Sequence, residues 1–203
     1  MGIFVACIQL SDLTKIPTKM KIGLVRHFKV NHPFPEKSLL SKSEVIAWFE
    51  KYDNDGNIEF KKVDLGNINW ERCYSSSMVR AVHTSKYIYN GEIIEVTGLK
   101  ELDILHRLSG RVKLPFLLWA IIVRLKSFSS NKDTNEFKNK IVAFVDEIMA
   151  NNESNILIVS HWFVMRILRK ELMKRGMTGD DFKPNDYGML YIYENTNNST
   201  KTK

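Results

Sequence analysis

The sequence predicts an α/β protein in which helices cover both faces of a mostly parallel central sheet. Two short apolar runs, residues 22–25 and 156–159, have the unbroken hydrophobicity of strands buried on both faces. Segments with apolar residues at helical spacing alternate with the strands along the chain. This alternation brings the carboxyl ends of the strands to one shared edge. We therefore predict a three-layer α/β/α sandwich.

Length and composition fit a single folded domain. With 203 residues, the chain can bury about 70% of its unfolded surface without disulfide or metal support. Its two cysteines are too few for a disulfide framework and fit a reducing compartment, so we expect a cytoplasmic protein. We expect an N-terminal extension over residues 1–19, the folded domain over 20–194 and a disordered tail over 195–203.

The excess of positive charge indicates an anionic partner. The net charge is +7 and the isoelectric point is near 9.3, which suits a phosphorylated metabolite, nucleic acid or a membrane surface. The sequence shows no RNA-binding signature, zinc-ligand array or basic heptad region, so we expect no nucleic-acid partner. A basic pocket for phosphate explains the same excess.

The first strand ends on an arginine and a histidine. Residues 22–25 run directly into Arg26 and His27. Because ligands of α/β sheets bind just beyond the strand ends, a cation and a titratable nucleophile here would lie at the mouth of a site. A solvated loop is the alternative, so the interpretation depends on the rest of the chain.

A helix and a turn follow this strand. Ser41, with Glu44 three residues later, forms a capping-box pattern and predicts a helix that ends near Tyr52. The next segment, residues 53–58, resembles a calcium loop, but lysines stand at the two loop positions where the ion needs carboxylates. We predict a turn without calcium.

A serine-rich segment marks the second candidate site. A strand is predicted over residues 68–74, and SSSMVRAVHT follows it at residues 75–84. The helical spacing of its apolar residues places Arg80 near the first turn of a helix. Helix N-terminal amides, serine hydroxyls and a guanidinium group together form a phosphate receptor. A capped surface helix with a solvated arginine is the alternative.

Two more strand ends carry reactive side chains. A third strand, predicted over residues 93–97, precedes the acids Glu101 and Asp103, either of which could donate a proton. The buried strand at 156–159 leads to His161 and another helix. Three strand ends therefore carry basic or imidazole groups that would meet at one edge of the sheet.

The remaining elements include the most apolar run of the chain, residues 114–125. It is about a dozen residues long, whereas a bilayer span needs about 20, so we predict a buried or lid helix. Flanking cations leave a membrane-surface or partner-docking role open, although no membrane is expected. A helix over 134–150 has a regular apolar face typical of core packing, and a last strand covers 189–193.

Four motifs, in this order, resemble those of the histidine phosphatase superfamily, also called the phosphoglycerate mutase-like family. LVRHF is similar to its leading Arg-His motif and SSSMVRAVHT to its second-arginine motif. LKEL is similar to the segment that carries its acid, and VSHWFVMR to its second-histidine motif. The resemblance covers about residues 20–194 and implies the phosphoglycerate mutase-like fold.

The resemblance also implies residue roles. His27 would attack phosphorus and become transiently phosphorylated, while Arg26, Arg80 and His161 bind the phosphoryl oxygens. Glu101 would protonate the leaving alkoxide and then activate the water that hydrolyses phosphohistidine. We thus predict His27, Glu101 and His161 as catalytic residues and Arg26 and Arg80 as substrate-binding residues, with no metal or other cofactor.

The sequence departs from the family pattern after both histidines. Phe28 and Trp162 stand where the family usually has glycine, which predicts a bulkier and more aromatic pocket rim. The other histidines receive no role: His32, His83 and His106.

The leading functional hypothesis is a metal-independent phosphatase that acts on a small phosphorylated metabolite. A phosphoglycerate mutase-type phosphotransferase is the nearest alternative, although mutases of this family are typically longer. A non-catalytic binder of phosphorylated ligands is a third hypothesis, because the two aromatic replacements could block turnover. The sequence leaves the substrate and the oligomeric state open.

Overall fold

A computed structural model describes residues 20–129, 132–151 and 154–195. The extension expected over residues 1–19 and positions 196–203 of the expected tail lie outside the described residues. Asn195, assigned to the tail by the sequence, belongs to the last strand.

The chain folds into a six-stranded sheet flanked by helices, as predicted. The strands are β1 Lys21–Arg26, β2 Arg72–Ser76, β3 Ile93–Val96, β4 Asn155–Ser160, β5 Met177–Gly179 and β6 Leu190–Asn195. The helices are α1 Lys42–Asn54, α2 Val79–Ile88, α3 Phe116–Phe128, α4 Lys132–Ala150 and α5 Trp162–Lys174. The sheet order is β3-β2-β4-β1-β6-β5, with β6 antiparallel to its two neighbours and the other pairings parallel.

Strand β4 lies in the interior of the sheet and is buried on both faces. Ile156 and Ile158 point into a core shared with α4 and α5. Leu157 and Val159 point the other way, into a cluster that includes Ala81 of α2. Because successive side chains of a strand alternate between faces, both layers of helices need apolar residues from β4, which explains its unbroken hydrophobic run.

The parallel register aligns the strand ends that carry the candidate residues. Arg26 of β1 pairs with Ser160 of β4, and Ser75 of β2 pairs with Val159. The residues that follow β1, β2 and β4 therefore leave the sheet at the same level.

Strand β2 begins later than the sequence predicted, at Arg72 rather than residue 68. Trp70 lies before the strand, buried against the sheet, and its Nε1 donates to the Leu65 carbonyl at 3.1 Å. This local bond folds the segment back on itself, so its apolar residues pack without joining the sheet. Strand β5, which the sequence did not predict, has three residues at the sheet edge after Gly176, whose φ is +83°.

The apolar run was predicted to form a buried or lid helix, and α3 is not buried. Of its residues, all of which the structure describes, only Trp119 is fully buried. The Trp119 Nε1 donates to the Leu40 carbonyl at 2.8 Å, which anchors one face of α3 near α1. No helix among the described residues is long and apolar enough to cross a bilayer.

Gly23 in β1 provides a test of sheet packing. A Cβ at this position would lie 2.6 Å from Trp70 Cη2 and 2.8 Å from Leu190 Cδ1. Since the Trp70 ring is held by its bond to Leu65, we expect Gly23→Ala to lower the free energy of unfolding by about 1–3 kcal/mol. Urea denaturation measures the change.

The matched control is Gly98→Ala, where the nearest atom would be Val96 Cγ1 at 3.9 Å. We expect this variant to stay within about 0.5 kcal/mol of the wild type. Equal stabilities of the two variants would show that Gly23 is not tightly enclosed.

Candidate active site

The carboxyl edge of the sheet brings together the five predicted site residues. Arg26 ends β1 and is followed by His27, Arg80 lies in the first turn of α2, and His161 occupies the N-cap position of α5. The rings of His27 and His161 lie 5.0 Å apart between centroids. Glu101 enters after a short 3-10 helix, and its Oε2 lies 3.9 Å from His161 Nδ1.

His27 is held as a neutral imidazole with a defined tautomer. Its ring is almost completely buried, and Nδ1 lies 2.6 Å from the Phe28 carbonyl oxygen. A carbonyl can only accept, so Nδ1 carries the hydrogen and Nε2 keeps a lone pair. Burial, together with the positive charges of Arg80 and Arg26, holds the pKa of His27 well below its usual range. Nε2 is therefore an available nucleophile at neutral pH.

Arg80 faces this lone pair. Its Nε donates to His27 Nε2 at 3.3 Å, and Nη1 donates to Asp53 Oδ1 at 2.9 Å. The guanidinium group lies 5.2 Å from the Tyr52 ring centroid. Burial raises the pKa of Asp53, although Arg80 acts against this. Asp53 and Tyr52, both at the end of α1, thus fix the position of the arginine.

Thr84 of α2 connects the residues around His27 and Arg80. Its Oγ1 accepts from the Phe28 backbone N–H at 2.8 Å and donates to the Arg80 carbonyl at 2.7 Å. Thr84 therefore links the segment that carries His27 directly to the helix that carries Arg80.

Arg26 is held by the loop before β6. Its guanidinium group lies 3.7 Å from the Tyr187 ring centroid and donates through Nη1 to the Pro184 carbonyl. Burial lowers its pKa from the usual arginine value. Its buried Nε has no hydrogen-bond partner among the described residues. Arg26 therefore retains a donor for a ligand.

His161 has one nitrogen bound and one free. Its Nε2 lies 2.8 Å from Ser76 Oγ, while the buried Nδ1 lacks a hydrogen-bond partner among the described residues. Burial, and then the positive charge of Arg80, hold the pKa of His161 well below its usual range. A buried polar atom without a partner is costly, so Nδ1 is suited to bind a ligand.

Glu101 is a carboxyl group with a neutral form near physiological pH. Of its side-chain surface, 37% is accessible, and the residue lines the cavity above the histidines. Desolvation raises its pKa to about 7 despite the opposing charges of Arg80 and Arg26. Asp103, the other candidate acid, accepts from the Leu105 backbone N–H at 3.0 Å. Of these two acids, Glu101 is the one that lies next to His161.

A protein-family model matches more than half of the chain. The model of the histidine phosphatase superfamily (branch 1) matches residues 61–202. The chain belongs to the histidine phosphatase superfamily. The matched region contains Arg80, Glu101 and His161 but begins after β1, so it does not cover His27. No curated protein matches the chain.

Members of the histidine phosphatase superfamily bind phosphorylated substrates and are usually phosphatases or mutases. Among the described residues, no three His, Cys, Asp or Glu side chains lie close enough together to hold a metal ion.

The two aromatic departures from the histidine phosphatase motifs have different positions. Trp162 lines the cavity, where Arg124 lies 4.3 Å from its ring centroid. Phe28, by contrast, is fully buried in a cluster with Val30 and Ile58. The prediction that Phe28 forms the pocket rim is wrong, because the chain turns the side chain after His27 away from the site. Of the two replacements, only Trp162 therefore narrows the cavity.

Several residues that hold this histidine phosphatase site were missed by the sequence analysis. They are Asp53, Ser76, Thr84, Pro184 and Tyr187. Ser76 and Thr84 lie inside the SSSMVRAVHT segment, whose hydroxyl groups were a usable signal. Asp53, at the edge of a polar turn, and the loop before β6 carry no local signal of this kind.

The other three histidines make their contacts away from His27 and His161. His32 Nδ1 is 2.6 Å from Asp55 Oδ2, and His83 Nδ1 is 3.3 Å from the Gly56 carbonyl. His106 Nε2 is 3.2 Å from Asp133 Oδ2. Each of them thus has a hydrogen-bonding partner other than the residues around His27.

The tautomer and the pKa of His27 can be measured directly. We expect ¹⁵N NMR of histidine-labelled protein to show hydrogen on Nδ1 of His27 and a ring that stays neutral to well below pH 6.5. The His27→Gln variant assigns the signal, because this signal is missing from its spectrum. Because the charge of Arg80 opposes protonation, Arg80→Met should raise the pKa of His27.

The control is Arg107→Met, since Arg107 pairs with Asp133 rather than with His27. This variant should leave the titration of His27 unchanged. Hydrogen on Nε2 in the wild type would contradict the arrangement described above.

Proposed function

We propose that this protein is a phosphatase that hydrolyses phosphomonoesters of small metabolites through a phosphohistidine on His27, without a metal. The observation that carries the proposal is the Nε2 lone pair of a buried, neutral imidazole facing a guanidinium group. Phosphoryl transfer requires mainly positioning and positive charge around the transferred group, and this site supplies both.

Substrate binding would satisfy the polar atoms that the protein leaves open. A phosphoryl group next to His27 Nε2 would replace the contact from Arg80 and take hydrogen bonds from Arg80, Arg26 Nε and His161 Nδ1. Bonds between guanidinium groups and phosphate are charge-assisted and are stronger than neutral ones. The phosphate dianion would also relieve the repulsion between the two buried cations.

The first chemical step transfers the phosphoryl group to the protein. The Nε2 lone pair of His27 attacks phosphorus while the bond from phosphorus to the ester oxygen breaks. The neutral carboxyl of Glu101 gives its proton to the leaving alkoxide, which departs as an alcohol. The imidazole becomes formally cationic, and the Phe28 carbonyl stabilises it by accepting from Nδ1.

The second step returns the protein to its starting state. The Glu101 carboxylate takes a proton from water as the water oxygen attacks phosphorus and the bond to Nε2 breaks. Inorganic phosphate leaves, His27 is again neutral and Glu101 is again protonated. A pKa of about 7 suits a group that must act as acid and then as base.

The phosphatase hypothesis is favoured over a non-catalytic binder by the position of Phe28. One of the two replacements that could block turnover lies in the core rather than in the cavity. The cavity of about 1140 Å³ leaves space for water beside a bound phosphoryl group.

The role of His27 is tested with His27→Ala. We expect the wild type to release phosphate from p-nitrophenyl phosphate in excess chelator and to gain the mass of one phosphoryl group on rapid quenching. His27→Ala should lose both, with a rate at least roughly 10³-fold lower. The control His83→Ala removes an exposed histidine with its own backbone contact and should keep full activity.

A phosphorylated intermediate that persists in His27→Ala would place the nucleophile elsewhere. A wild type that neither turns over nor gains mass would support the non-catalytic alternative.

The role of Glu101 is tested by pH and by the leaving group. Because the protonated form is needed first, kcat/KM should fall about tenfold per pH unit above pH 7, and Glu101→Gln should remove this dependence. The variant should lose about 10²–10⁴-fold activity on alkyl phosphates. The loss should be much smaller on p-nitrophenyl phosphate, whose leaving group needs no proton.

Substrate phosphate ionises equally in both pH profiles, so the difference between wild type and variant isolates Glu101. The control Asp103→Asn should keep the basic limb of the profile, which is the fall in kcat/KM above pH 7. If Asp103→Asn removes that limb and Glu101→Gln does not, Asp103 is the acid.

A further inference from the structure

One face of α3 lines the cavity with exposed apolar side chains. This face, called here the cavity face, contains Leu117, Ala120, Ile121, Arg124, Ser127 and Phe128. These positions recur every three or four residues, so they lie on one side of the helix. Leu117 is 69% exposed, Ile121 is 53% exposed and Phe128 is 45% exposed. The cavity face extends over about 16 Å, since each helical residue rises 1.5 Å.

The orientation of α3 is fixed from its other side. Trp119, buried and hydrogen-bonded to the Leu40 carbonyl, packs with Val45 and Leu108. Phe116 and Val123 pack against this small core and also line the cavity, so the cavity face begins beside the core and turns from it towards the site. Its exposure is therefore a consequence of how the helix is anchored.

Residues outside α3 give the cavity further apolar lining. Five apolar residues of α1 and of the segment after Glu101 line the cavity: Ile46, Phe49, Leu102, Ile104 and Leu105. The cation on the cavity face, Arg124, lies over the Trp162 ring. The polar groups around His27 are suited to phosphate, and Glu50, Lys100, Asp103 and His106 are further polar residues of the lining. The cavity thus combines a phosphate-binding group of residues with the apolar side chains of the cavity face.

We propose that the substrates are amphiphilic phosphomonoesters, in which a phosphate is esterified to an alcohol with a long alkyl chain or a comparable apolar group. The phosphate lies at His27 and the apolar group lies along the cavity face. This inference rests on the proposed phosphatase function. A sugar phosphate would instead place hydroxyl groups against the apolar side chains of the cavity face, which cannot hydrogen-bond to them. Burying apolar substrate against Leu117 and Ile121 removes apolar surface of both partners from water.

The test compares n-alkyl monophosphates from methyl to decyl, each below its micelle concentration, with the full-length protein. We expect kcat/KM to rise by up to about fourfold for each methylene buried and then to level off. Glycerol phosphate, which is polar throughout, should remain near the methyl ester.

Variants of α3 locate the effect. Leu117→Ser and Ile121→Ser should lower the ratio of kcat/KM for decyl over methyl phosphate by about tenfold or more. Leu118→Ser is the matched control, because Leu118 is 46% exposed on the same helix but does not line the cavity. Its ratio should equal that of the wild type.

The outcomes separate this inference from the proposed function. If all alkyl phosphates are hydrolysed with equal kcat/KM, the inference is overturned and the phosphatase function stands. If Leu118→Ser lowers the ratio as much as Ile121→Ser, or if the chain-length effect needs micelles, the cavity face is not the recognition site and the inference also fails.

A protein that hydrolyses no ester, including p-nitrophenyl phosphate, contradicts the proposed function. Calorimetric titration with decyl and methyl phosphate then decides the inference separately. Tighter binding of decyl phosphate, lost in Ile121→Ser, supports it, and equal affinities overturn it.

Discussion

Burial, together with the positive charges of Arg26 and Arg80, sets the protonation states of the site. Both are largely buried at the edge of the sheet, and each lowers the tendency of His27 and His161 to take up a proton. Burial in the same cavity favours the neutral carboxyl of Glu101. The result is a positively charged site with neutral imidazoles and a carboxyl group that is partly protonated near pH 7, and such a site suits an anion. The protonation of His27, His161 and Glu101 therefore depends on the same burial and the same two charges.

Holding two like charges together requires support from parts of the chain that carry no motif. Asp53 at the end of α1 binds Arg80, and the loop before β6 holds Arg26 through Pro184 and Tyr187. In that loop the Gly188 N–H donates to the Arg26 carbonyl at 2.9 Å. Gly188 has a φ of +54°, and a Cβ there would lie 2.5 Å from the Phe28 ring. Glycine is needed for this loop to reach the end of β1.

The sheet and most residues of the candidate site could be predicted from the sequence, because the patterns that indicate them are local. A buried strand followed at once by a reactive side chain is visible in a short segment, as with His27 and His161. The contact between Asp53 and Arg80 depends on tertiary packing and leaves no such trace. Helix α3 shows another limit, since an apolar run looks the same whether it packs in a core or lines a cavity. The sequence shows a phenylalanine at position 28, where the family usually has glycine, but it does not show that the side chain points into the core.

The position of β1 in the sheet has a consequence for how the protein is made. Its two neighbours, β4 and β6, both come from the C-terminal part of the chain. During translation β1 leaves the ribosome before either partner has been synthesised. Such non-local pairing is slow to form and leaves an apolar strand unprotected in the meantime. A polypeptide that ended before β4 would carry Arg26 and His27 without the two strands that hold them in the sheet.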